Sequence, residues 1–425
     1  MYRKALKDLI SWKNSPDRKP LVLEGARQVG KTWLLKEFGN KYYENCIYLN
    51  LEEDALARNI FDDSFSPADI ISRLSIYKNT EINSANTLII IDEVQENPKA
   101  LTCLKYFYEN APEYHIAVAG SLLGITLHNN VSFPVGKVDY LKIHPLNFEE
   151  FLLAAKKDQL AKTLENQDFA TILPFHDKLC ELYRQYCIIG GMPEAVNSYV
   201  TDKNIVKVRE IQNNILLDYE HDFSKHANKF DVPKIIDIFN TIPSVLAKEN
   251  KKFMFGAIKP SARAREYESA LLWLLDSGLA VRVFRENKVA SPIAAYTDRN
   301  AFKLYFLDIG LLGCKVGLQP SVIYNESAIE FKGALAEQFV CQELISKSIT
   351  PYYYSADDSR AEIDFVIESE DGIMPIEVKS GEILSSPSLT KLLEANKDLK
   401  GIKFSMLPYN DSGRIRNMPI YMAGF

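Results

Sequence analysis

The sequence predicts an α/β protein whose first part is a parallel sheet covered by helices. Two features of residues 1–155 predict this fold class. Short apolar runs bounded by turn or helix signals recur along the region, and runs with helical periodicity separate them. Strands that alternate with helices pair in parallel, because each crossover helix returns the chain to the same end of the sheet.

The first strand and helix surround a glycine-rich loop. "PLVLE" (20–24) predicts a buried strand, and "TWLLKEF" (32–38) predicts a helix that Gly39 ends. The connecting "GARQVGKT" has the spacing GxxxxGK[ST], in which glycines let successive backbone N–H groups face a phosphate chain. A chance glycine-rich turn would lack the strand before it and the helix after it. The predicted nucleotide contacts are Gly25, Ala26, Arg27, Gln28, Val29, Gly30, Lys31 and Thr32.

An acidic pair ends a second predicted strand, in "NTLIIIDEVQENP" (86–98). Acidic residues often end strands, so the pair means little by itself. Downstream of a phosphate-binding loop it predicts a magnesium site. Lys31 would then reach the β- and γ-phosphates, while Thr32 and Asp92 hold Mg²⁺ and Glu93 orients the attacking water.

Two further short apolar runs fit the same sheet, namely "CIYLNLE" (46–52) and "HIAVAGSLLG" (115–124). Ser121, which follows the second run, is a candidate polar sensor of the γ-phosphate, and a helix N-cap explains it equally well. "KVDYLKIHPLNFEEFLLAA" (137–155) predicts one more strand, and then a helix capped by Asn147.

Six motifs in this order resemble those of prokaryotic AAA-family ATPases that carry a C-terminal region known as domain of unknown function 4143. They are "GARQVGKT", "YLNLE", "IIDEVQ", "GSLLG", "HPLNFEEF" and "GGMPEAV" (190–196). The resemblance implies an AAA-type P-loop domain that binds ATP and Mg²⁺, often in a homo-oligomer. One residue departs from the pattern, since Lys137 stands where members commonly have Arg, and no arginine finger is assigned.

The middle of the chain predicts a winged-helix-like domain. Residues 232–247 and 264–278 have helical patterns, "FMF" (253–255) predicts a short strand, and "LAVRVFR" (279–285) predicts another. Five basic residues cluster before and within the second helix: Lys251, Lys252, Lys259, Arg263 and Arg265. A contact with DNA and a solvated face on a protein-interaction module explain this cluster equally well.

The last part predicts a helix followed by three strands. Glu337 lies on the helix "FKGALAEQFVCQELISK" (331–347), Asp364 on a strand within 351–369, and Glu377 with Lys379 on the strand "GIMPIEVKSG". This order resembles the PD-(D/E)xK nuclease superfamily, with its restriction-endonuclease-like α/β fold. The resemblance implies that Glu337, Asp364 and Glu377 hold Mg²⁺ and that Lys379 is catalytic. The alternative is a domain that keeps the fold but only binds a partner.

Bulk composition limits the remaining possibilities. The net charge is −6 and the pI is about 5.7, so any contact with DNA must use a local basic patch. No apolar run is long enough to cross a membrane, the start lacks a signal-peptide pattern, and six scattered cysteines suit a reducing compartment; these features predict a cytoplasmic protein. Its length predicts two to four domains. The patterns predict three: an ATPase domain with a helical lid at 1–200, the winged-helix-like domain at 201–320 and the nuclease-like domain at 321–425.

Overall fold

The computed structural model describes residues 1–120, 134–324, 331–356, 362–383 and 385–425. Contacts divide the chain into two compact units. The first contains Met1–His144 with Asp276–Gly278, and the second contains Pro145–Leu275 with Leu279–Phe425. The three predicted domain boundaries stay a prediction. The six cysteines, all within the described residues, form no disulfide with one another.

The first unit is a parallel sheet with helices between its strands. Its helices are α1 (Ala5–Asn14), α2 (Lys31–Tyr42), α3 (Ala55–Asn59), α4 (Pro67–Lys78) and α5 (Pro98–Asn110). Its strands are β1 (Leu21–Glu24), β2 (Asn45–Asn50), β3 (Thr87–Asp92), β4 (His115–Ala119) and β5 (Asp139–Lys142). The strand order is β2-β3-β4-β1-β5, with every pair parallel. The predicted parallel α/β sheet is therefore confirmed.

Burial explains the composition of the central strands. All six residues of β3 are buried, and the strand reads as a continuous apolar run because both of its faces are covered. Its carboxyl end and that of β1 lie at the same edge of the sheet, although β4 separates the two strands. This edge is where ligands of open parallel sheets bind, because the loops after the strands meet there.

The second unit contains many helices and a mixed sheet. Its helices are α6 (Phe148–Ala154), α7 (Asp158–Glu165), α8 (Phe169–Ile172), α9 (His176–Ile189), α10 (Pro193–Asp202), α11 (Ile205–His226), α12 (Val232–Leu246), α13 (Ala264–Asp276), α14 (Ile309–Lys315), α15 (Pro320–Tyr324), α16 (Lys332–Ser346) and α17 (Pro387–Ala395). Its strands are β6 (Ala280–Glu286), β7 (Thr297–Phe306), β8 (Tyr352–Ser355), β9 (Glu362–Ser369), β10 (Gly372–Val378), β11 (Gly401–Ser405), β12 (Asn410–Asp411) and β13 (Ile415–Pro419). They form one sheet in the order β12-β13-β11-β10-β9-β8-β6-β7.

This sheet corrects part of the expectation for the middle of the chain. Residues 253–255 do not form a strand; only Lys252 makes an isolated bridge, to Lys303. The predicted strand at 279–285 exists as β6, but it pairs with β7 and β8 in the large sheet. A separate winged-helix domain is therefore not confirmed, and a restriction-endonuclease-like fold is not confirmed either.

A buried polar cluster in the second unit joins segments that are distant in sequence. Asp308 accepts hydrogen bonds from Gly191 N at 2.6 Å and Leu311 N at 3.0 Å, and the Gln342 amide lies 3.3 Å away. Gly191 O accepts from Leu146 N at 2.7 Å. A Cβ at Gly191 would meet Leu146 O at 2.0 Å, so the glycine permits this close approach. The motifs "HPLNFEEF" and "GGMPEAV" therefore meet in the core of the second unit.

Candidate functional site

The loop between β1 and α2 has the backbone conformation that a phosphate-binding loop needs. Gly25, Gln28 and Gly30 have positive φ angles of 147°, 64° and 92°. A Cβ at Gly25 would lie 2.3 Å from Ile143 O, so no larger residue fits there without displacing the chain. The glycine spacing of the sequence motif therefore has a direct steric cause.

Lys31 folds back over this loop. Its Nζ donates to the carbonyl oxygens of Gly25 and Ala26 at 2.9 and 2.8 Å. Burial lowers the pKa of the Lys31 ammonium to about 8, against the opposing effect of the Glu93 and Asp92 carboxylates. A phosphate oxygen would offer the ammonium a negatively charged acceptor in place of these neutral carbonyl oxygens.

The predicted magnesium ligands lie together. Thr32 Oγ1 donates to Asp92 Oδ2 at 2.7 Å, although Thr32 belongs to α2 and Asp92 is the last residue of β3. The hydroxyl of Tyr48, a residue within β2, donates to the same carboxylate oxygen at 3.0 Å. A hydroxyl and a carboxylate are oxygen ligands of the kind that Mg²⁺ prefers, so the donor set fits this ion.

Glu93 follows Asp92 in a left-handed conformation, with φ 49°. Its carboxylate accepts a hydrogen bond from Gln95 Nε2 at 2.5 Å. Gln95 is buried, so its amide is a fixed donor that orients the Glu93 carboxylate. Ser121, the predicted γ-phosphate sensor, lies outside the described residues.

The carboxylate Glu337, on α16, is surrounded by cations. It forms a short ion pair with Lys251, it lies 3.7 Å from Lys303 Nζ, and the Tyr305 hydroxyl donates to it at 3.0 Å. Burial would raise the pKa of Glu337, but Lys303 and Lys251 outweigh burial and lower it. Lys303 also pairs with Glu362 at 2.6 Å. Lys251 therefore faces inward and is not part of a solvated basic patch.

Asp364 belongs to the same charged group. Desolvation and then the charge of Glu337 raise its pKa to about 7, although Lys303 opposes them. Its Oδ2 accepts from Val378 N at 2.7 Å. Asp364 sits at a bulge in β9, where the register shifts between Tyr352 and Tyr354 of the partner strand.

Glu377 has different partners. Its Oε2 accepts from Leu389 N at 3.2 Å in the first turn of α17, and its Oε1 pairs with Lys379 Nζ at 2.6 Å. This ion pair agrees with the prediction that the side chains of Glu377 and Lys379 point to the same face, although β10 ends at Val378, one residue before Lys379. Ile373, four residues before Glu377 on the same face of β10, packs against the cluster that contains Leu389.

The sheet therefore separates the predicted nuclease residues. Ile376 of β10 pairs with Phe365 of β9, so these two side chains point to the same face of the sheet. The Phe365 ring contacts Tyr305, which identifies this face as the α16 side. Glu377 is the next residue along β10, so its side chain points to the opposite face, the α17 side. Asp364 and Glu337 lie on the α16 side. Among the residues described, no three His, Cys, Asp or Glu side chains lie close enough to hold a metal ion. The structure does not bring Glu337, Asp364 and Glu377 together, and their metal role stays a prediction.

The sequence reasoning missed three contacts around the loop: those of Tyr48, Gln95 and Arg3. Tyr48 and Gln95 stand inside "YLNLE" and "IIDEVQ", so motif membership was an available signal. Arg3 donates from Nη1 to Val29 O and from Nη2 to His144 O, and nothing in "MYRK" indicated these partners.

Fold and site together define an AAA/P-loop ATPase-like domain. Residues 17–152 match the sequence model of an AAA domain. Residues 180–322 match one domain of unknown function (DUF8612), and residues 332–420 match another (DUF4143). The AAA domain and the DUF4143 region of the resemblance are therefore confirmed. A comparison with curated proteins found no match.

Several solved structures are similar to this chain at low identity. A Walker-type ATPase of Pyrococcus abyssi is 13% identical, with 74% of this chain and 95% of that one covered, at a TM-score of 0.46. The Orc1 protein of Aeropyrum pernix in complex with DNA is 13% identical, with 74% and 91% covered, at 0.27. A mutant RuvB of Thermotoga maritima is 14% identical, with 67% and 90% covered, at 0.32. Similarity this low carries no functional inference.

None of the helices within the described ranges is long and apolar enough to cross a membrane.

Proposed function

We propose that this protein binds ATP with Mg²⁺ in its first unit and hydrolyses it. The observation that carries the proposal is the 2.7 Å contact between the Thr32 hydroxyl and Asp92, beside a loop whose lysine lies over its own carbonyls. This arrangement combines a cation for phosphates with oxygen ligands for a metal.

Each residue has a distinct role in this proposal. The loop N–H groups and Lys31 bind the phosphates, Thr32 and Asp92 hold the ion, and Ser121 senses the γ-phosphate. Bound Mg²⁺ neutralises charge on the transferred phosphoryl group. Glu93, oriented by Gln95 at 2.5 Å, positions the attacking water. Of these residues only Glu93 acts on the attacking water, so a change at Glu93 should impair hydrolysis without impairing ATP binding.

The test compares two variants. Lys31→Ala should lose binding of a fluorescent ATP analogue, because the cation for the phosphates is gone. Glu93→Gln should keep binding and lose about 100-fold in phosphate release, because a carboxamide accepts the water proton poorly. Lys41→Ala, an exposed lysine on the same helix α2, is the matched control and should behave as wild type. Unchanged binding in Lys31→Ala, or equal turnover in Glu93→Gln, would reject the proposal.

A second candidate concerns the C-terminal half. We propose that it is a protein- or nucleic-acid-binding module switched by the ATPase, with a nuclease-like site that does not cut. The pairing of Glu337 with Lys251 and Lys303 favours this view, because two ammonium groups occupy the surroundings that a divalent cation would need. DNA is one candidate partner, through the exposed Lys259, Arg263 and Arg265.

A nicking assay on supercoiled DNA with Mg²⁺, with and without ATP, separates this module from a nuclease. The binding module predicts no cleavage in either condition, and a DNA affinity that Asp364→Asn leaves unchanged. The control is Arg263→Glu with Arg265→Glu, which should weaken DNA binding in a salt-dependent way if DNA is the partner. Cleavage that Asp364→Asn and Lys379→Ala both abolish would establish a nuclease instead.

A further inference from the structure

Arg3 is a buried arginine whose two terminal nitrogens bind two different carbonyl groups. Nη1 donates to Val29 O at 2.8 Å, and Nη2 donates to His144 O at 2.5 Å. The side chain is only 5% exposed. Val29 belongs to the phosphate-binding loop, whereas His144 follows β5, so one guanidinium joins the loop to a segment far away in sequence.

The Val29 carbonyl matters because of how this loop binds anions. Successive N–H groups must face the phosphates, so the carbonyls of the same peptide units must point away from them. The neighbours of Val29 are already in left-handed conformations, with φ 64° at Gln28 and 92° at Gly30. Because the Arg3 guanidinium donates to the Val29 carbonyl, it holds the peptide between Val29 and Gly30 in the orientation that phosphate binding requires.

The other end of the loop is fixed against the same segment. Gly25 approaches Ile143 so closely that a Cβ would lie 2.3 Å from its carbonyl oxygen, and Ile143 N donates to Glu24 O at 2.7 Å. Arg3 therefore links the second end of the loop, at Val29, to His144. A planar guanidinium serves two carbonyls at once, which a lysine ammonium of similar length does with poorer geometry.

We propose that Arg3 is a positioning residue for nucleotide binding, which holds the phosphate-binding loop in register through Val29 while touching no ligand itself. This inference rests on the proposed ATP-binding function. Loss of Arg3 should weaken recognition of the phosphates and leave recognition of the nucleoside unchanged, because the guanidinium contacts Val29, which belongs to the phosphate-binding loop.

The experiment uses Arg3→Met and Arg3→Lys in the full chain, with Arg18→Met as the matched control. Arg18 lies in the same N-terminal region and also donates to two carbonyls, those of Lys13 and Pro112, away from the loop. Arg3→Met should raise KM and Kd for ATP about tenfold with a much smaller change in kcat, and Arg3→Lys should recover part of the loss. Arg18→Met should bind ATP as wild type does.

Other outcomes separate the possible failures. If Arg3→Met lowers the melting temperature but the folded protein keeps its KM and Kd, the arginine is merely structural and the inference is wrong. An equal loss of adenosine and ATP affinity would also overturn it. If wild type fails to bind ATP, or Lys31→Ala binds normally, the proposed function itself has failed, and Arg3 has no loop function to support.

Discussion

At the residue scale, Lys31 makes nucleotide binding depend on pH. Its ammonium has a pKa of about 8 in the free protein, because burial disfavours the charge. Bound phosphates favour the charged form, so the pKa in the complex must be higher. Binding should therefore take up a proton, and affinity should fall as the pH rises through 8.

Calorimetry of ATP binding in two buffers with different ionisation enthalpies measures this proton uptake directly. Uptake should be small at pH 7 and approach one proton by about pH 9. Lys31→Arg is the control, because a guanidinium stays charged throughout and takes up no proton. Equal affinity at pH 7 and pH 9 in wild type would contradict the prediction.

Local motifs allowed the central site residues to be predicted from sequence. Gly25, Lys31 and Thr32 lie within eight residues of one another, and their roles follow from local chain geometry. The contact between Arg3 and His144 was not predictable, because it joins residues 141 apart through a carbonyl that every amino acid carries. The N–H groups and carbonyls of the backbone leave no signal of their own in a sequence.

At the element scale, Glu377 holds the start of α17. Its carboxylate accepts from Leu389 N, one of the donors in the first turn of a helix that have no intrahelical partner. Negative charge at this end also favours the helix dipole. Glu377→Gln should therefore lower the free energy of unfolding by about 1–2 kcal/mol, measured by urea denaturation.

Lys379→Met is the control for this prediction. Lys379 is 26% exposed and pairs with Glu377, so its loss should cost less than about 1 kcal/mol. If Glu377→Gln unfolds at the same urea concentration as wild type, the carboxylate does not support α17, and a purely chemical role becomes the better explanation.

Strand existence was predictable in this region, but side-chain direction was not. The patterns around Asp364 and Glu377 correctly predicted β9 and β10. The bulge in β9 is set by its pairing with β8, so the alternation of apolar residues in the sequence does not reveal it. Ile363 and Val366 lie three residues apart, yet both belong to the buried apolar cluster that contains Leu389 of α17. Sequence spacing alone therefore suggested a common site that the pairing does not form.

At the scale of the whole molecule, the two sheets differ in how far sequence could predict them. The first four strands of the first unit follow one another with described helices between them, so local patterns were enough there. In the second sheet β6 pairs in parallel with β8, although β7 and the helices α14, α15 and α16 come between them in the sequence. Such pairing depends on long-range packing, which explains why β6 was assigned to a separate winged domain.

The buried cluster around Asp308 affects how mutations in this protein should be interpreted. Segments around Leu146, Gly191 and Gln342 meet there through direct hydrogen bonds. A genetic screen would return many loss-of-function alleles at these positions, and the mutant proteins would be cleared by proteases before any chemistry could fail. Abundance in the cell must therefore be measured beside the phenotype.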